Sequence, residues 1–337
     1  MSVLLIIVIG LIGVSIFLNG LTDAPNALAA VISTRVLSPK AAIFVGMVFN
    51  LLGIFVLGYA VAATMANIAS IGSGPAALVT LAGVQLAMIV WALLAWRYGI
   101  PTSSTHSMVS ALIGAGIGYG GLVTINLDSI VKVVLGMVIS TLVGYGLSFA
   151  ITNIIKTTCR NMRRHAANRI FSIGQIVSVC LITMANGAQD GQKFLGIIYF
   201  ALVVSETYPL PGSGVIEFPL WVLPLIALIM SAGISAGGYR VIKRLGMKMV
   251  HLEKYQGFAA EMVASISMIA STLFGIPLSI THTKGASMMG AGAANGLNRV
   301  NWTVAKEIIM AWLITFPVCV TLGYVFSLGL RTLWLIF

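Results

Sequence analysis

The sequence predicts an all-α polytopic membrane protein made of two inverted-topology repeats with broken helices and re-entrant hairpins. Of the 337 residues, 59% are apolar and only 8% are charged, against about 25% charged residues in an ordinary soluble domain. A soluble chain must cover its outside with polar groups, so this composition excludes soluble enzymes, nucleic-acid binders and disordered proteins. An internal duplication and the placement of the basic residues indicate the inverted repeats.

The apolar runs are long enough to cross about 30 Å of hydrocarbon, and the loops between them are short. In the first half we expect spans at 2–20 continuing brokenly to 36, 41–63, 78–96, 104–121 and 129–155. In the second half we expect spans at 171–205, 218–239, 256–275, 284–297 and 303–330. The expected organisation is a first repeat over 1–155, a basic cytoplasmic connector over 156–170 and a second repeat over 171–337.

The formal net charge of +11 does not indicate a nucleic-acid partner, because most Lys and Arg lie in short stretches between apolar runs. Residues 156–170 and 240–254 are both rich in Lys and Arg, and the positive-inside bias places them in the cytoplasm. Residues 206–217 contain Glu206 and Glu217 without a cation, which favours the outside. The same counting predicts a multi-pass protein of the cell membrane with both termini outside.

Two motifs recur along the chain. The run Asn19–Asp23 returns as Asn186–Asp190, and Gly99–His106 returns as Gly275–His282. In the register of the second pair, the glycines at 114, 116 and 120 align with those at 290, 292 and 296, and the residue at 85 aligns with that at 261. The basic stretch 156–170 follows the fifth span of the first half, and the basic stretch 240–254 follows the second span of the second half. If both stretches lie in the cytoplasm, each half must cross the membrane an odd number of times. Inverted repeats of this kind are typical of secondary transporters, with the site at the repeat interface near the midplane.

The third and fourth spans of each half, 78–96 and 104–121 in the first half and 256–275 and 284–297 in the second, are compatible with two topologies. Each segment crosses the membrane fully, or the two form one re-entrant hairpin with Pro101–His106 at its tip. Both arrangements keep the number of crossings odd. We favour the hairpin, because a polar break would be costly against lipid but is tolerated where it lines a cavity.

Three carboxylates, Asp23, Asp190 and Glu261, lie well inside apolar stretches. A charged side chain at bilayer depth costs at least ~2.5–3.5 kcal/mol, so such residues usually face the interior and mark an ion or proton path. The alternative is a structural carboxylate that caps a broken helix.

Gly20 and Pro25 interrupt the helix around Asp23, and we expect the same break at 186–193. Such a break leaves backbone N–H and C=O groups without helical partners. The free N–H groups can bind an anion, and the free carbonyls beside a carboxylate can bind Na⁺ or H⁺. Lys193 stands where the first copy has Asn26. A buried Lys needs an anionic partner, which is either the substrate or Asp190 in a permanent structural pair.

The hydroxyl residues Ser103, Ser104, Thr105, Ser279 and Thr281 follow a Pro and precede a helix start. Such hydroxyls cap the helix or donate to a bound oxyanion. The neighbouring histidines at 106 and 282 either shuttle protons or orient the hairpins by hydrogen bonding. The paired glycines are expected to allow close helix packing.

From these features we predict two overlapping sets of site residues and no metal site. The substrate set is Asp23, Asn26, Ser103, Ser104, Thr105, Asp190, Lys193, Ser279 and Thr281. The coupling-ion set is Asn19, Asp23, Gln85, Asn186, Asp190 and Glu261. No nucleotide-binding loop and no complete catalytic triad is present in the sequence, so we predict a gradient-driven transporter and not an enzyme.

The motif copies together resemble the inorganic phosphate transporter (PiT) family. Residues 20–26 are similar to its G-A-N-D-x-x-N signature. Residues 187–193 are similar to the D-G-Q-K form that this signature takes in bacterial members. Residues 101–106 and 277–282 are similar to its P-x-S-[ST]-[ST]-H signature. The chain departs from the pattern at Thr22, Pro25, Gln189 and Ile280.

The resemblance implies uptake of inorganic phosphate through a membrane homodimer, driven by H⁺ or Na⁺ and without a cofactor. In bacteria it often implies entry as a neutral metal–phosphate complex. We favour protons, because the charge of Lys193 repels Na⁺ from the second copy. Because phosphate carries a proton that Asp23 or Asp190 can accept, we expect arsenate to compete and sulfate not to. The alternatives are a sulfate or other oxyanion permease of the same fold, an anion channel and a membrane scaffold.

Overall fold

The computed structural model describes residues 2–208, 218–236, 242–243 and 248–336. These ranges are almost entirely helical and contain no β-strand. The helices of the first half are α1 (Val3–Thr22), α2 (Ala24–Ser33), α3 (Pro39–Val56), α4 (Ala60–Ala66), α5 (Pro75–Tyr98), α6 (Ser104–Gly120) and α7 (Leu127–Thr158). Those of the second half are α8 (Arg164–Val204), α9 (Val222–Ala236), α10 (Lys254–Leu273), α11 (Ile280–Ala293) and α12 (Trp302–Ile336).

Among the described residues, six helical segments are long and apolar enough to cross a membrane. They are Val3–Ser33, Pro39–Val56, Pro75–Tyr98, Leu127–Thr158, Arg164–Val204 and Trp302–Ile336. Large apolar side chains are exposed along these helices, for example Phe44, Leu142 and Leu313. Such an outer surface suits lipid as its solvent, and the all-α membrane architecture is confirmed.

The predicted run 41–63 is divided in the structure. Helix α3 ends at Val56 and α4 begins at Ala60. Gly58 lies between them with a φ of 72°, a left-handed conformation that glycine adopts without steric cost. The expected connector 156–170 is largely helical, because α7 continues to Thr158 and α8 begins at Arg164. Residues 209–217, 237–241 and 244–247 lie outside the described residues. They include most of the predicted outside loop 206–217, the end of the predicted span 218–239 and part of the basic stretch 240–254.

The expected break at 186–193 is wrong. Helix α8 runs without interruption from Arg164 to Val204, whereas α1 ends at Thr22 and α2 begins at Ala24, with Asp23 between them. Pro25 lies in the first turn of α2, where its missing N–H is tolerated and its fixed φ suits a helix start. The second copy has Gln192 at the equivalent position, which keeps its N–H, and glycine alone only weakens a helix.

The two proline-containing tips lie against each other inside the protein. The Thr105 hydroxyl donates to the Leu278 carbonyl at 3.0 Å, and the Thr281 hydroxyl lies 3.0 Å from the Thr102 carbonyl. Both hydroxyls are fully buried. The two tips are therefore joined by two equivalent contacts, each between a threonine hydroxyl of one tip and a backbone carbonyl of the other.

Close helix packing also occurs in matched pairs. Helix α12 packs on α6, and α7 packs on α11, so the last helix of each half covers the tip helix of the other half. Gly114 of α6 faces the Val320 carbonyl, and Gly290 of α11 faces the Tyr145 carbonyl. A side chain at either glycine would meet backbone that cannot rotate away.

Gly114→Ala is expected to destabilise the protein by about 1–3 kcal/mol, because the new methyl group would overlap the Val320 carbonyl and force α6 away from α12. Thermal unfolding in detergent measures this loss. Gly118→Ala is the matched control one turn along α6, since its methyl group would meet Tyr324 only at ordinary van der Waals distance. Equal midpoints for the two variants would contradict the packing role of Gly114.

Candidate functional site

The first centre surrounds Asp23, a buried carboxylate at the α1–α2 junction. Asn26 Nδ2 donates to Asp23 Oδ1 at 3.0 Å, and the Thr281 hydroxyl donates to the same oxygen at 2.8 Å. The Ser104 hydroxyl donates to Asp23 Oδ2 at 2.6 Å. Residues from α2 and from the tips of both halves thus converge on one carboxylate.

The second centre surrounds Asp190 in the middle of α8. Lys193 Nζ lies 2.5 Å from Asp190 Oδ1, and both side chains are 1% exposed. Asn19 Nδ2 donates to Asp190 Oδ2 at 2.8 Å, and Asn186 Nδ2 donates to the same oxygen at 3.2 Å. Because Asn19 belongs to α1 and Asp190 to α8, the second centre also contains both halves.

The Ser104 hydroxyl joins the two centres. Lys193 Nζ donates to Ser104 Oγ at 3.2 Å, and Ser104 in turn donates to Asp23. Lys193 also donates to Thr105 Oγ1 at 2.7 Å. One buried ammonium, two carboxylates and two hydroxyls therefore form a continuous polar cluster, which we call the central cluster: Asp23, Ser104, Thr105, Asp190 and Lys193.

Helix ends add favourable electrostatics for an anion at the central cluster. The first turns of α6 and α11 bring Ser104 and Thr281 to Asp23, and α2 begins directly after Asp23. Helix N-termini carry partial positive charge and free N–H groups. The cluster therefore combines hydroxyl donors, one ammonium and three helix N-termini with two carboxylate acceptors.

A small cavity borders the central cluster. Its volume is about 20 Å³, which holds roughly one water molecule. The lining residues are Ser15, Asn19, Thr22, Met88, Ala92, Thr102, Ser104 and Ser107. An anion with four oxygens needs more room, so the tips must separate before it can reach Asp23.

Three amide oxygens around the two aspartates accept no hydrogen bond in the described part of the chain. They are Oδ1 of Asn19, Asn26 and Asn186. Each of these side chains directs its nitrogen to a carboxylate, which leaves the oxygen free. Buried carbonyl oxygens without a donor are suitable ligands for a hard cation such as Na⁺.

Two of the predicted hydroxyl groups lie beside the cluster without contacting it. Ser103 caps α6, because its Oγ accepts from the His106 N–H at 3.2 Å. Ser279 precedes α11, and its buried hydroxyl has no hydrogen-bond partner among the described residues. The capping interpretation therefore describes Ser103, while Ser104, Thr105 and Thr281 reach the carboxylates or Lys193.

Glu261 and Gln85 are the two predicted coupling-ion residues that the structure keeps apart from the central cluster. Glu261 of α10 pairs with Lys284 of α11 at 3.2 Å, and neither side chain is exposed. Gln85 is buried in α5 without a hydrogen-bond partner in the described ranges. Lys284 therefore neutralises Glu261 in a buried pair that lies outside the central cluster.

The histidines at the two tips are in direct ring contact. The rings of His106 and His282 are 4.3 Å apart. His282 also lies against Trp312, with ring centres 3.7 Å apart, and His106 lies against Phe316 at 4.5 Å. Neither nitrogen of His106 has a hydrogen-bond partner in the described residues, so ring packing orients His106.

Two residues outside the predicted set position the tips. Gln189 donates to the Ile276 carbonyl at 3.1 Å and accepts from the Leu278 N–H at 3.1 Å, which fixes the second tip against α8. Trp312 Nε1 donates to the Pro101 carbonyl at 3.2 Å. Gln189 lies within a recognised motif and could have been found from its position next to Asp190. Trp312 closes a stretch from Val300 that also resembles the phosphate transporter family, but the sequence does not indicate that its side chain reaches Pro101. Across the described ranges, no three His, Cys, Asp or Glu residues form a cluster that could hold a metal ion.

A helical membrane frame with a buried, charged cluster between two polar tips defines a multi-pass membrane transport protein. The chain belongs to the Phosphate transporter family, whose sequence pattern matches residues 19–323. The resemblance seen in the four motif copies is thereby confirmed, and the relatives below are transporters and not enzymes.

Three relatives carry the name "Probable low-affinity inorganic phosphate transporter". The protein from Bacillus subtilis (strain 168) is 32% identical over 91% of this chain and 91% of its own length. The one from Rhizobium meliloti (strain 1021) is 34% identical over 92% of each chain, and that from Mycobacterium tuberculosis (strain ATCC 25618 / H37Rv) is 36% identical over 93% of this chain and 74% of its own. A solved structure titled "The sodium-dependent phosphate transporter" superposes with a TM-score of 0.87 at 22% identity, covering 100% of both chains. That likeness shows a shared fold.

Proposed function

We propose that this protein takes up inorganic phosphate by symport with a cation, H⁺ or Na⁺, and that phosphate binds at the central cluster. The observation that carries the proposal is the convergence of Ser104 and Thr281 on the Asp23 carboxylate. Inorganic phosphate at neutral pH carries at least one proton, so it can donate to a carboxylate and accept from hydroxyls. Sulfate only accepts, and a buried carboxylate would repel it. Relatives named as phosphate transporters support the same substrate.

The tight contact between the tips supports alternating access over a channel. The Thr105–Leu278 contact closes the space next to the central cluster, and the bordering cavity holds about one water molecule. A channel needs a continuous series of weak binding sites. Here the polar groups are concentrated at one buried cluster, which suits a transporter that opens to one side at a time.

The proposal is tested by uptake of labelled phosphate into proteoliposomes under an imposed pH gradient, an imposed Na⁺ gradient, or neither. We expect saturable uptake that collapses when the effective gradient is removed, and parallel runs with Mg²⁺ or a chelator show whether a metal–phosphate complex is carried. Arsenate is expected to compete, while sulfate and nitrate are not. Inhibition by sulfate as strong as that by arsenate would assign the protein to the sulfate permeases, and flux that never saturates would indicate a channel.

We further propose that the two halves have inverted topology, with both termini outside and the α7–α8 connection in the cytoplasm, and that the protein works as a homodimer. The matched tip contacts and matched glycine contacts support a duplicated frame. Single cysteines on a cysteine-free background test the orientation. A cysteine replacing His165 is expected to react only from the cytoplasmic side, and one replacing Thr207 only from outside. The reverse labelling would overturn the orientation.

A further inference from the structure

Asn26 and Lys193 occupy equivalent positions in the two copies of the aspartate motif. Each side chain is three residues after the aspartate of its copy. Asn26 Nδ2 donates to Asp23 Oδ1 at 3.0 Å and to Thr281 Oγ1 at 2.8 Å. The first copy thus links its aspartate to the tip of the other half through a neutral amide.

Lys193 makes the same two kinds of contact in the second copy. Its Nζ lies 2.5 Å from Asp190 Oδ1 and donates to Thr105 Oγ1 at 2.7 Å. Thr105 is the counterpart of Thr281 in the duplicated tip motif. At these two positions the copies therefore make the same pair of contacts, and the side chain that makes them is positively charged only in the second copy.

Because of this charge difference, the two aspartates differ in whether they still need a compensating positive charge. The hydrogen-bond donors to Asp23 are an amide and two hydroxyls, all of them neutral. Asp190 is already neutralised by Lys193, and both are buried. An uncompensated buried carboxylate is strongly unfavourable, so it attracts a positive charge whenever the site is closed. Among the described residues, Asp23 has no cation in direct contact with its carboxylate.

We propose that the Lys193 ammonium permanently occupies the cation position beside Asp190, so that this transporter moves one coupling cation fewer per phosphate than the two aspartates alone would require. The mobile cation is carried at Asp23. The inference rests on the proposed phosphate symport and specifies its coupling. It makes Lys193 a determinant of ion stoichiometry, in addition to a contact for the substrate.

Lys193→Asn gives the second copy the same residue as the first at this position. We expect the number of cations moved per phosphate to rise by about one, because Asp190 then needs a mobile positive charge as Asp23 does. The readout is the apparent cation order of uptake, together with the charge moved per phosphate in proteoliposomes. Phosphate uptake by Lys193→Asn with the wild-type cation order would overturn the inference.

The double variant Asp190→Asn/Lys193→Asn is the matched control, because it removes one negative and one positive charge together. We expect it to keep the wild-type cation order, since Asp23 is unchanged, and a lower order would show that Asp190 carries a mobile cation in the native protein. If Lys193→Asn fails to fold, judged by gel filtration and thermal unfolding, the double variant decides the question alone. Wild-type protein that transports no phosphate would reject the proposed function, whereas unchanged cation order in an active Lys193→Asn protein rejects only the role of Lys193.

Discussion

Asp23→Asn is expected to reduce phosphate uptake by about 100-fold or more while the protein remains folded. Hydrogen bonds to a charged group contribute about 1.5–3 kcal/mol each, and Ser104 and Thr281 both donate to the Asp23 carboxylate. Asn keeps the size but loses the negative charge that holds the mobile cation. Since about 1.4 kcal/mol is a tenfold change in rate, a 100-fold loss of uptake corresponds to about 3 kcal/mol of lost interaction between the Asp23 charge and the transported cation.

The measurement is uptake of labelled phosphate normalised to the amount of reconstituted protein. Asp128→Asn is the control, because Asp128 is an exposed carboxylate in the first turn of α7 and should keep wild-type uptake. Asp190→Asn should also lose uptake, since it leaves the buried Lys193 ammonium without its partner. Wild-type rates and normal ion dependence in Asp23→Asn would remove Asp23 from the site.

Lys284→Met is expected to cause a large loss of stability. Removing one partner of a buried ion pair costs about 3–5 kcal/mol, because the other charge is left buried and unpaired. Lys284 and Glu261 are both fully buried and 3.2 Å apart. We therefore expect a large drop in the thermal midpoint in detergent and little folded protein in the membrane.

The first half of the chain shows which neutral residues could replace the Glu261–Lys284 ion pair. In the register of the duplicated tip motif, Gln85 and Met108 occupy the positions of Glu261 and Lys284, and both are buried. The double variant Glu261→Gln/Lys284→Met copies this neutral pair and should recover most of the lost stability. A double variant no more stable than Lys284→Met would show that the charge of Glu261 is not the cause of the loss.

The helical frame was largely predictable, because apolar runs of membrane length and the glycine and proline positions mark helices and their ends. The predicted runs 104–121 and 129–155 became Ser104–Gly120 and Leu127–Thr158. The continuous α8 was not predicted, because two copies of one motif were assumed to share one conformation. The replacement of Pro25 by Gln192 removes the residue that starts a new helix in the first copy.

The central cluster was predictable in its members and much less so in its contacts. Intramembrane aspartates that recur in two copies stand out in an apolar sequence, so Asp23 and Asp190 could be named. The hydrogen bond between Lys193 and Thr105 could not, because it joins opposite halves of the chain and depends on how the tips pack. For the same reason Glu261 was grouped with the ion site, whereas it lies in a separate pair with Lys284.

The two aspartates sit on mechanically different supports. Asp23 lies at the junction between α1, of 20 residues, and α2, of 10 residues, while Asp190 and Lys193 lie within one unbroken helix of 41 residues. Bending can concentrate at the joint, where the helix ladder is interrupted, but meets regular hydrogen bonding along α8. The Lys193–Asp190 pair thus lies on a rigid helix, and Asp23 lies at a junction that can bend. Reorientation of the half that holds Asp23 can then expose that carboxylate to either compartment, while α8 keeps Lys193 paired with Asp190.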